Sequence, residues 1–336
     1  MNDHSALLHR ACSYEKVIFA GNEQLNIMKT KWFGIGGLPL LAAAIMLTTC
    51  SLKNENRTTE RSNEDHEGIS SSRPVYQTPP LPDSIRFVGD AVPLQRFDVR
   101  ENLERELLVN AYFHSQTIRL IKLAPRFFSI IDPILKEEGI PADFRYLAVA
   151  ESGLNPKAVS PAGAVGMWQL ISAAAKENGL EVTSEVDERY HIEKSTRAAS
   201  RYLRSAFAKY QDWALVAASY NAGLAGIDRH LARQKVASYY DLLLAEETER
   251  YVYRIMALKL IMEDPAKYGF SVSEEELYPL WKTKEVEVNG PVTDFADFAI
   301  SHGITYKTLK YYNPWLRDTK LTNKVAKNYM VKIPTE

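Results

Sequence analysis

The chain has 336 residues, 46% of them hydrophobic, and its 41 Lys and Arg nearly balance 42 Asp and Glu for a net charge of −1. That length and apolar content support one large domain or two, each able to bury a core. The near-neutral balance removes the global argument for a nucleic-acid partner, and seven scattered His, none paired at helix spacing, leave no argument for a metal or other cofactor.

Two cysteines, Cys12 and Cys50, make no disulfide framework. From Met28 the sequence runs "MKTKWFGIGGLPLLAAAIMLTTC". Lys29 and Lys31 form a basic start, Trp32 to Leu47 is apolar and uncharged, and small polar residues precede Cys50. This is a signal-peptide layout over 28–49, and the apolar run is short for a membrane span. The "LTTC" ending resembles a bacterial lipobox, which implies cleavage before Cys50 and its lipidation. Residues 1–27 show no core pattern and are expected to be a non-native extension, with translation starting at Met28. The polar, Pro-containing stretch that follows cannot bury enough to order itself, so 50–97 is expected to be a disordered tether.

Helical periodicity begins near Asp98, with Leu103, Leu107, Leu108 and Tyr112 as the first stripe. A helix is expected to end at Gly139 before Pro141, and another to run from Ala142–Asp143 to Gly153. Further helices are expected near 170–178, 193–210, 212–221, 224–234 and 246–263. No stretch before 283 alternates as a strand does, so 98–270 is expected to be an all-helical domain. After a linker over 271–282, "KEVEVNG" and "NYMVKIP" alternate around two short helical patterns, a separate β-α-α-β domain over 283–336. The acids Glu177, Glu181, Glu185, Asp187 and Glu188 fall in a region expected to be solvated.

One acid stands apart. In "AESGLNPKAVSPAGAVGMWQL" the sole carboxylate is Glu151. Phe144, Leu147 and Glu151 lie on one helical stripe, which puts the acid on an apolar face at a helix C-terminus. Desolvation, the negative helix end and the lack of a basic neighbour in sequence all raise its pKa, as a general acid needs. A Glu bending out to water fits the same position. The loop after it, with Pro156, Ser160, Pro161, Gly163 and Gly166, offers hydroxyl, amide and backbone donors suited to a polyol. Ordinary glycosidase chemistry asks for a second carboxylate, and the loop has none.

These residues resemble the motifs of family 1 lytic transglycosylases, which have the goose-type lysozyme fold. Glu151, Ser152, Pro156, Ala158, Ser160, Gly163, Ala164, Gly166 and Gln169 meet the pattern E-S-x-x-x-P-x-A-x-S-x-x-G-A-x-G-x-x-Q. A third motif matches Ser219-Tyr220-Asn221-Ala222-Gly223, with Ser219 for the usual Ala, and a fourth matches Glu247-Thr248-Glu249-Arg250-Tyr251-Val252. The form Met167-Trp168-Gln169 is similar to a membrane-bound branch. Order and spacing agree over about a hundred residues. The resemblance implies an all-α lysozyme-like catalytic domain that cleaves the MurNAc–GlcNAc β-1,4 bond of peptidoglycan without water. Glu151 would act as acid and then base, the substrate's acetamido group assisting and its own O6 attacking. It further implies that Ser152, Ser160, Met167, Gln169, Tyr220, Asn221 and Tyr251 line or support the sugar site, Tyr251 by orienting Glu151. Read as packing alone, Tyr251 and Tyr220 each share an apolar stripe, Asn221 to Gly223 can be a helix cap, and Trp168 can be core or sugar platform. His191, outside the four motifs, reads as surface variation.

Residues 283–334 resemble LysM, a binder of N-acetylglucosamine chains, though "NGPVTDFADFA" replaces the family's turn after the first strand, which puts sugar binding in doubt. Peptidoglycan strands and a lipid-anchored membrane are thus the implied partners, and the outer membrane facing the periplasm the implied location. A water-using hydrolase and a non-catalytic wall-binding lipoprotein are the rival functions.

Overall fold

The structure is a computed structural model, and it describes residues 77–335. The 1–27 extension, the signal-like run over 28–49, Cys50 and the first part of the tether lie outside the described residues.

Helix α1 (Phe97–Tyr112) buries Val99, Leu103, Glu106, Leu107 and Ala111, one face at three-to-four spacing. The buried stripe thus differs from the expected one. Leu108 and Tyr112 are more than a third exposed, and a carboxylate takes a place on the core face. Helix α2 (His114–Glu137) carries Pro125 and Pro133 internally and ends where Ile140 N–H returns to Leu135 O across Gly139, whose φ is 69°. A 3-10 turn (Ala142–Phe144) leads into α3 (Arg145–Ser152). Helix α3 is stopped by Gly153 in the left-handed region, φ 58° and ψ 37°. The chain continues through α4 (Ser172–Glu177), α5 (Ile192–Tyr210), α6 (Trp213–Ala222), α7 (Leu224–Gln234) and α8 (Glu246–Glu263). Helix α6 is apolar nearly all round and sits in the middle of the domain, with Ala214 to Ser219 buried. Helix α8 packs against α1, α3 and α6, so it reaches both the acid-bearing helix and the buried charge of α1.

The tether expected over 50–97 does not run that far. Strands β1 (Arg86–Phe87) and β2 (Asp90–Ala91) form a small hairpin, and Ile85, Phe87, Val92 and Leu94 enter the helical core. Val88 N–H donates to Asp143 Oδ2 at 2.9 Å, pinning the hairpin to the turn that starts α3. Four well-spaced apolar residues suffice here because the helical domain supplies the other half of the packing.

The last domain pairs β3 (Thr283–Val288) antiparallel with β4 (Tyr329–Pro334), Val286 opposite Val331. Helices α9 (Phe295–Ser301) and α10 (Tyr306–Tyr312) lie between them in sequence, capped by Asp294 and Thr305, whose side chains accept from Ala296 N–H and Thr308 N–H. Expected as a separate domain, it shares a core with the first. Val165, Val186 and Tyr190 belong to the same apolar cluster as Phe295, Trp315, Tyr329 and Val331. The expected linker is also held: Tyr278 N–H donates to Lys122 O at 2.9 Å, and Trp281 packs edge-on to Phe127 at 5.6 Å.

The hairpin makes a direct test. Phe87→Ala is expected to destabilise the helical domain by about 3 kcal/mol, read as a lowered midpoint in denaturant melts. An unchanged midpoint would return residues 77–97 to the tether.

Candidate active site

Glu151 ends α3 beside α8, where Tyr251 is 2% exposed and donates its hydroxyl to Glu151 Oε1. Burial pushes the carboxyl up from 4.5 to about 7, against the Tyr251 hydroxyl and the positive Arg254, with Glu247 adding in the upward direction. Arg254 does not reach Glu151 as a partner, because it is held elsewhere. Its Nε lies 3.4 Å from Glu106 Oε2 and its Nη1 3.3 Å from Glu247 Oε1. Glu106 is fully buried and also takes Arg250 Nε at 2.5 Å. The other carboxylate whose charge reaches Glu151, Glu247, is therefore already in an ion pair.

Tyr220 is half-buried and donates to Trp168 O at 2.8 Å. Burial, and next the Glu151 charge, hold its phenol far above the ordinary range. Asn221 Oδ1 accepts from Thr248 Oγ1 at 2.8 Å, one turn before Tyr251 on α8.

The loop after α3 folds back on itself. Asn155 Oδ1 accepts Lys157 N–H at 3.0 Å, an Asx turn. Ser160 N–H donates to Ala164 O at 2.9 Å while Ser160 Oγ accepts Ala164 N–H at 3.0 Å. Gly166 N–H reaches Ala158 O at 2.8 Å, and Gln169, at φ 47°, donates Nε2 to Gly166 O at 2.8 Å. Gly166 cannot be replaced without movement: at φ 84°, an added Cβ would lie 2.0 Å from Arg189 O.

Glu151, Tyr251 and Tyr220 are thus gathered, with Asn221 tied to the same helix and Gln169 half-buried in the loop. Ser152, Met167 and Ser160 are all buried rather than open at the surface. Ser152 is buried, donating to Ala148 O at 3.2 Å and meeting Met167 Sδ at 3.6 Å, and Met167 is fully enclosed. Both fasten the loop to the end of α3. Trp168 is also core, its indole N–H 2.9 Å from Thr196 Oγ1.

Two other expectations fail at the far side of the loop. Of the five acids expected to be solvated, Glu177 is exposed and Glu181 and Glu185 are half-buried, but Asp187 and Glu188 are buried; and His191 is no surface variation, its ring 5.5 Å from Trp315 and its Nδ1 3.2 Å from Glu193. Alternating charges in 181–193 read as a solvated face, but they meet Lys327 and Lys332 of the last domain. Sequence reasoning also missed Glu106, Arg250 and Arg254. The signal was present as a carboxylate on an apolar stripe and two Arg four residues apart.

Comparison with known proteins agrees with this architecture. Residues 129–242 match the transglycosylase SLT domain, and residues 284–336 match the soluble lytic transglycosylase C-terminal LysM-like domain. The chain thus carries a mostly helical domain that matches the transglycosylase SLT family, followed by one that matches a LysM-like family. Membrane-bound lytic murein transglycosylase D of Escherichia coli K12 is 29% identical over 244 residues, covering 70% of this chain and 52% of that protein. A putative tributyltin chloride resistance protein of Alteromonas sp. strain M-1 is 28% identical over 112 residues, 33% of this chain and 54% of that one. The chain spans about half the length of these curated relatives. Among solved structures, an inactive variant of lytic transglycosylase Slt from Pseudomonas aeruginosa aligns at 20% identity and TM-score 0.35, over 47% of this chain and 28% of that one. The 70 kDa soluble lytic transglycosylase of Escherichia coli aligns at 20% and 0.35, over 46% and 26%.

The raised Glu151 has a consequence for stability. Between its unfolded and folded pKa values, pH 4.5 to about 7, the unfolded chain releases the proton and the native chain keeps it. Stability therefore falls as pH rises through that window and stays lower above it. Glu151→Gln abolishes the effect, so at pH 8 the variant is expected to be more stable than the parent by about 2 kcal/mol, the gap closing by pH 4. Melts at both pH values check it.

Proposed function

We propose that this chain is a lytic transglycosylase that cleaves the MurNAc–GlcNAc β-1,4 bond of peptidoglycan and leaves 1,6-anhydro-MurNAc ends. The observation that carries the reading is a single half-buried carboxyl, its pKa raised by burial to about 7, with a tyrosine hydroxyl on one of its oxygens. Glu151 gives its proton to the leaving O4 as the C1–O4 bond breaks. The MurNAc acetamido group stabilises C1 in place of a carboxylate nucleophile. The sugar's own O6 then bonds to C1 and returns its proton to Glu151. Atoms and charge balance without water, and an intramolecular nucleophile needs no second residue to hold it. Tyr220, Asn221 and Gln169 are proposed to line the sugar cleft, Ser160 to shape it through its bond with Ala164 N–H, and Tyr251 to orient the acid.

The reading extends to the cell envelope. The Escherichia coli relative is named membrane-bound, and the lipobox-like "LTTC" at Cys50 supports a lipid anchor, in the outer membrane facing the periplasm. Among the described residues no helix is long and apolar enough to cross a membrane. On this reading Cys50→Ala moves the protein from the membrane to the soluble fraction after cell fractionation, and an unchanged distribution would remove the anchor.

The reaction is tested with purified sacculi. Glu151→Gln is expected to lower muropeptide release at least a thousandfold, about 4 kcal/mol of barrier, and the parent's products should be one water lighter than hydrolysis products. Products carrying that water would make the enzyme a hydrolase, and full activity in the variant would dismiss Glu151 as the acid.

The acid must be protonated to start, so activity should fall tenfold per pH unit above about 7. Tyr251→Phe removes a donor to the carboxylate and raises the Glu151 pKa further. The alkaline limb should move up by about one pH unit while the maximal rate drops roughly tenfold. A limb that stays in place would separate Tyr251 from the acid's ionisation.

A further inference from the structure

In the loop 158–170, Met167, Trp168 and Leu170 pack into the core, but the stretch from Ala158 to Ala164 is mostly small residues and depends on hydrogen bonds for its shape. One side chain braces it from outside. Arg189, 9% exposed, donates Nη1 to Gly163 O at 3.0 Å and to Leu170 O at 3.2 Å, spanning the loop's second half. Its Nε and Nη2 fork onto Asp187 Oδ1 at 2.9 Å and Oδ2 at 2.7 Å. Gly166 lies against the Arg189 backbone so closely that no side chain fits between them.

The other side of the same segment carries the LysM-like domain. Asp187 N–H donates to Trp315 O at 2.9 Å, and Arg317 N–H to Glu185 O at 2.7 Å. The Arg317 guanidinium lies over the Tyr190 ring at 4.0 Å. Lys327 meets Glu181 at 2.6 Å, and Lys332 pairs with Glu193. Val165 of the loop and Val186 share one apolar cluster with Trp315. A single layer of chain, 185–190, is therefore clamped between the loop beside Glu151 and the C-terminal domain.

We propose that the LysM-like domain is a structural part of the catalytic unit: docked on 185–190, it fixes the Asp187–Arg189 fork, and Arg189 is a positioning residue for the loop 158–170. The activity arm of the test rests on the function proposed above; the exchange arm does not. The backbone of Asp187 is held by Trp315, its carboxylate orients Arg189, and Arg189 sets the two carbonyls of the loop. A small displacement at such a site costs up to a hundredfold in rate.

The experiment uses the full chain with Trp315→Ala, Arg189→Met and Arg189→Lys, each checked for folding by circular dichroism. Amide hydrogen exchange over 158–170 is followed with kinetics on short soluble glycan strands. Trp315→Ala, made in the other domain, should speed exchange of the loop amides at least tenfold and lower kcat about 10- to 100-fold, with KM within about threefold. Arg189→Met should do the same. Arg189→Lys should keep the charge but not the fork, and recover only part of kcat. If Trp315→Ala does not fold, Lys327→Glu loosens the seam at the surface, and pairing it with Glu181→Lys should restore both readouts. Faster exchange confined to 283–335, with kcat on short strands unchanged and only sacculus binding lost, would make the domain a mere wall anchor and overturn the proposal. Should Glu151→Gln remain active, the reaction reading falls while the exchange result still decides this one.

Discussion

The constraint on which the site depends is that one carboxyl must be kept largely out of water and yet clear of a cationic partner. A buried Glu beside an Arg would ionise, and a buried Glu left in open contact with water would return to its ordinary pKa. The fold meets the second condition by occupying the cation whose charge reaches Glu151. Arg254 is shared between Glu106 and Glu247, so it tempers Glu151 from a distance rather than neutralising it. The hydroxyl of Tyr251 then supplies the one directional contact. It can donate to the carboxylate and also tolerate the acid, so it serves either protonation state.

That arrangement needs two helices at a fixed separation, and a loop that does not let water in from the other side. Helix α3 is only two turns long, stopped by Gly153 before Glu151 could be carried further along its axis. Ser152 and Met167 tie the loop to that stop, and Trp168 anchors it to α5 through Thr196. These residues belong to the sequence motif but not to its chemistry. They hold backbone at the end of a loop whose first half is mostly small residues.

Much of this was legible in the sequence, because helix ends and motif spacing are local. Gly153, the stripe of Phe144, Leu147 and Glu151, and the helices that follow α3 rest on residues within a turn of one another. The hairpin at 86–91 was not legible, since its apolar residues become a pattern only against the helical core. The charged run 181–193 was misread for a similar reason. Periodicity and composition report how a segment meets water, and this one meets Lys327, Lys332 and Trp315, more than a hundred residues away. Ser152 is buried and bonded within its own helix, since a motif marks a required residue type without saying whether the requirement is chemical or mechanical.

The charges that matter are the few removed from water. Pairs such as Arg105–Glu246 are half-exposed or more, and such pairs contribute little. Glu106 with Arg250 and Arg254, and Asp187 with Arg189, are buried. Buried pairs of this kind are poor sources of net stability, because desolvation offsets most of their attraction. What they provide is direction. A forked guanidinium fixes distances and angles that packed methyl groups would leave adjustable. One of these clusters stands behind the acid and the other behind the loop that faces it. The two sides of the Glu151 site are thus set by geometry that apolar packing alone could not specify, and the angle between carboxyl and tyrosine hydroxyl depends on it.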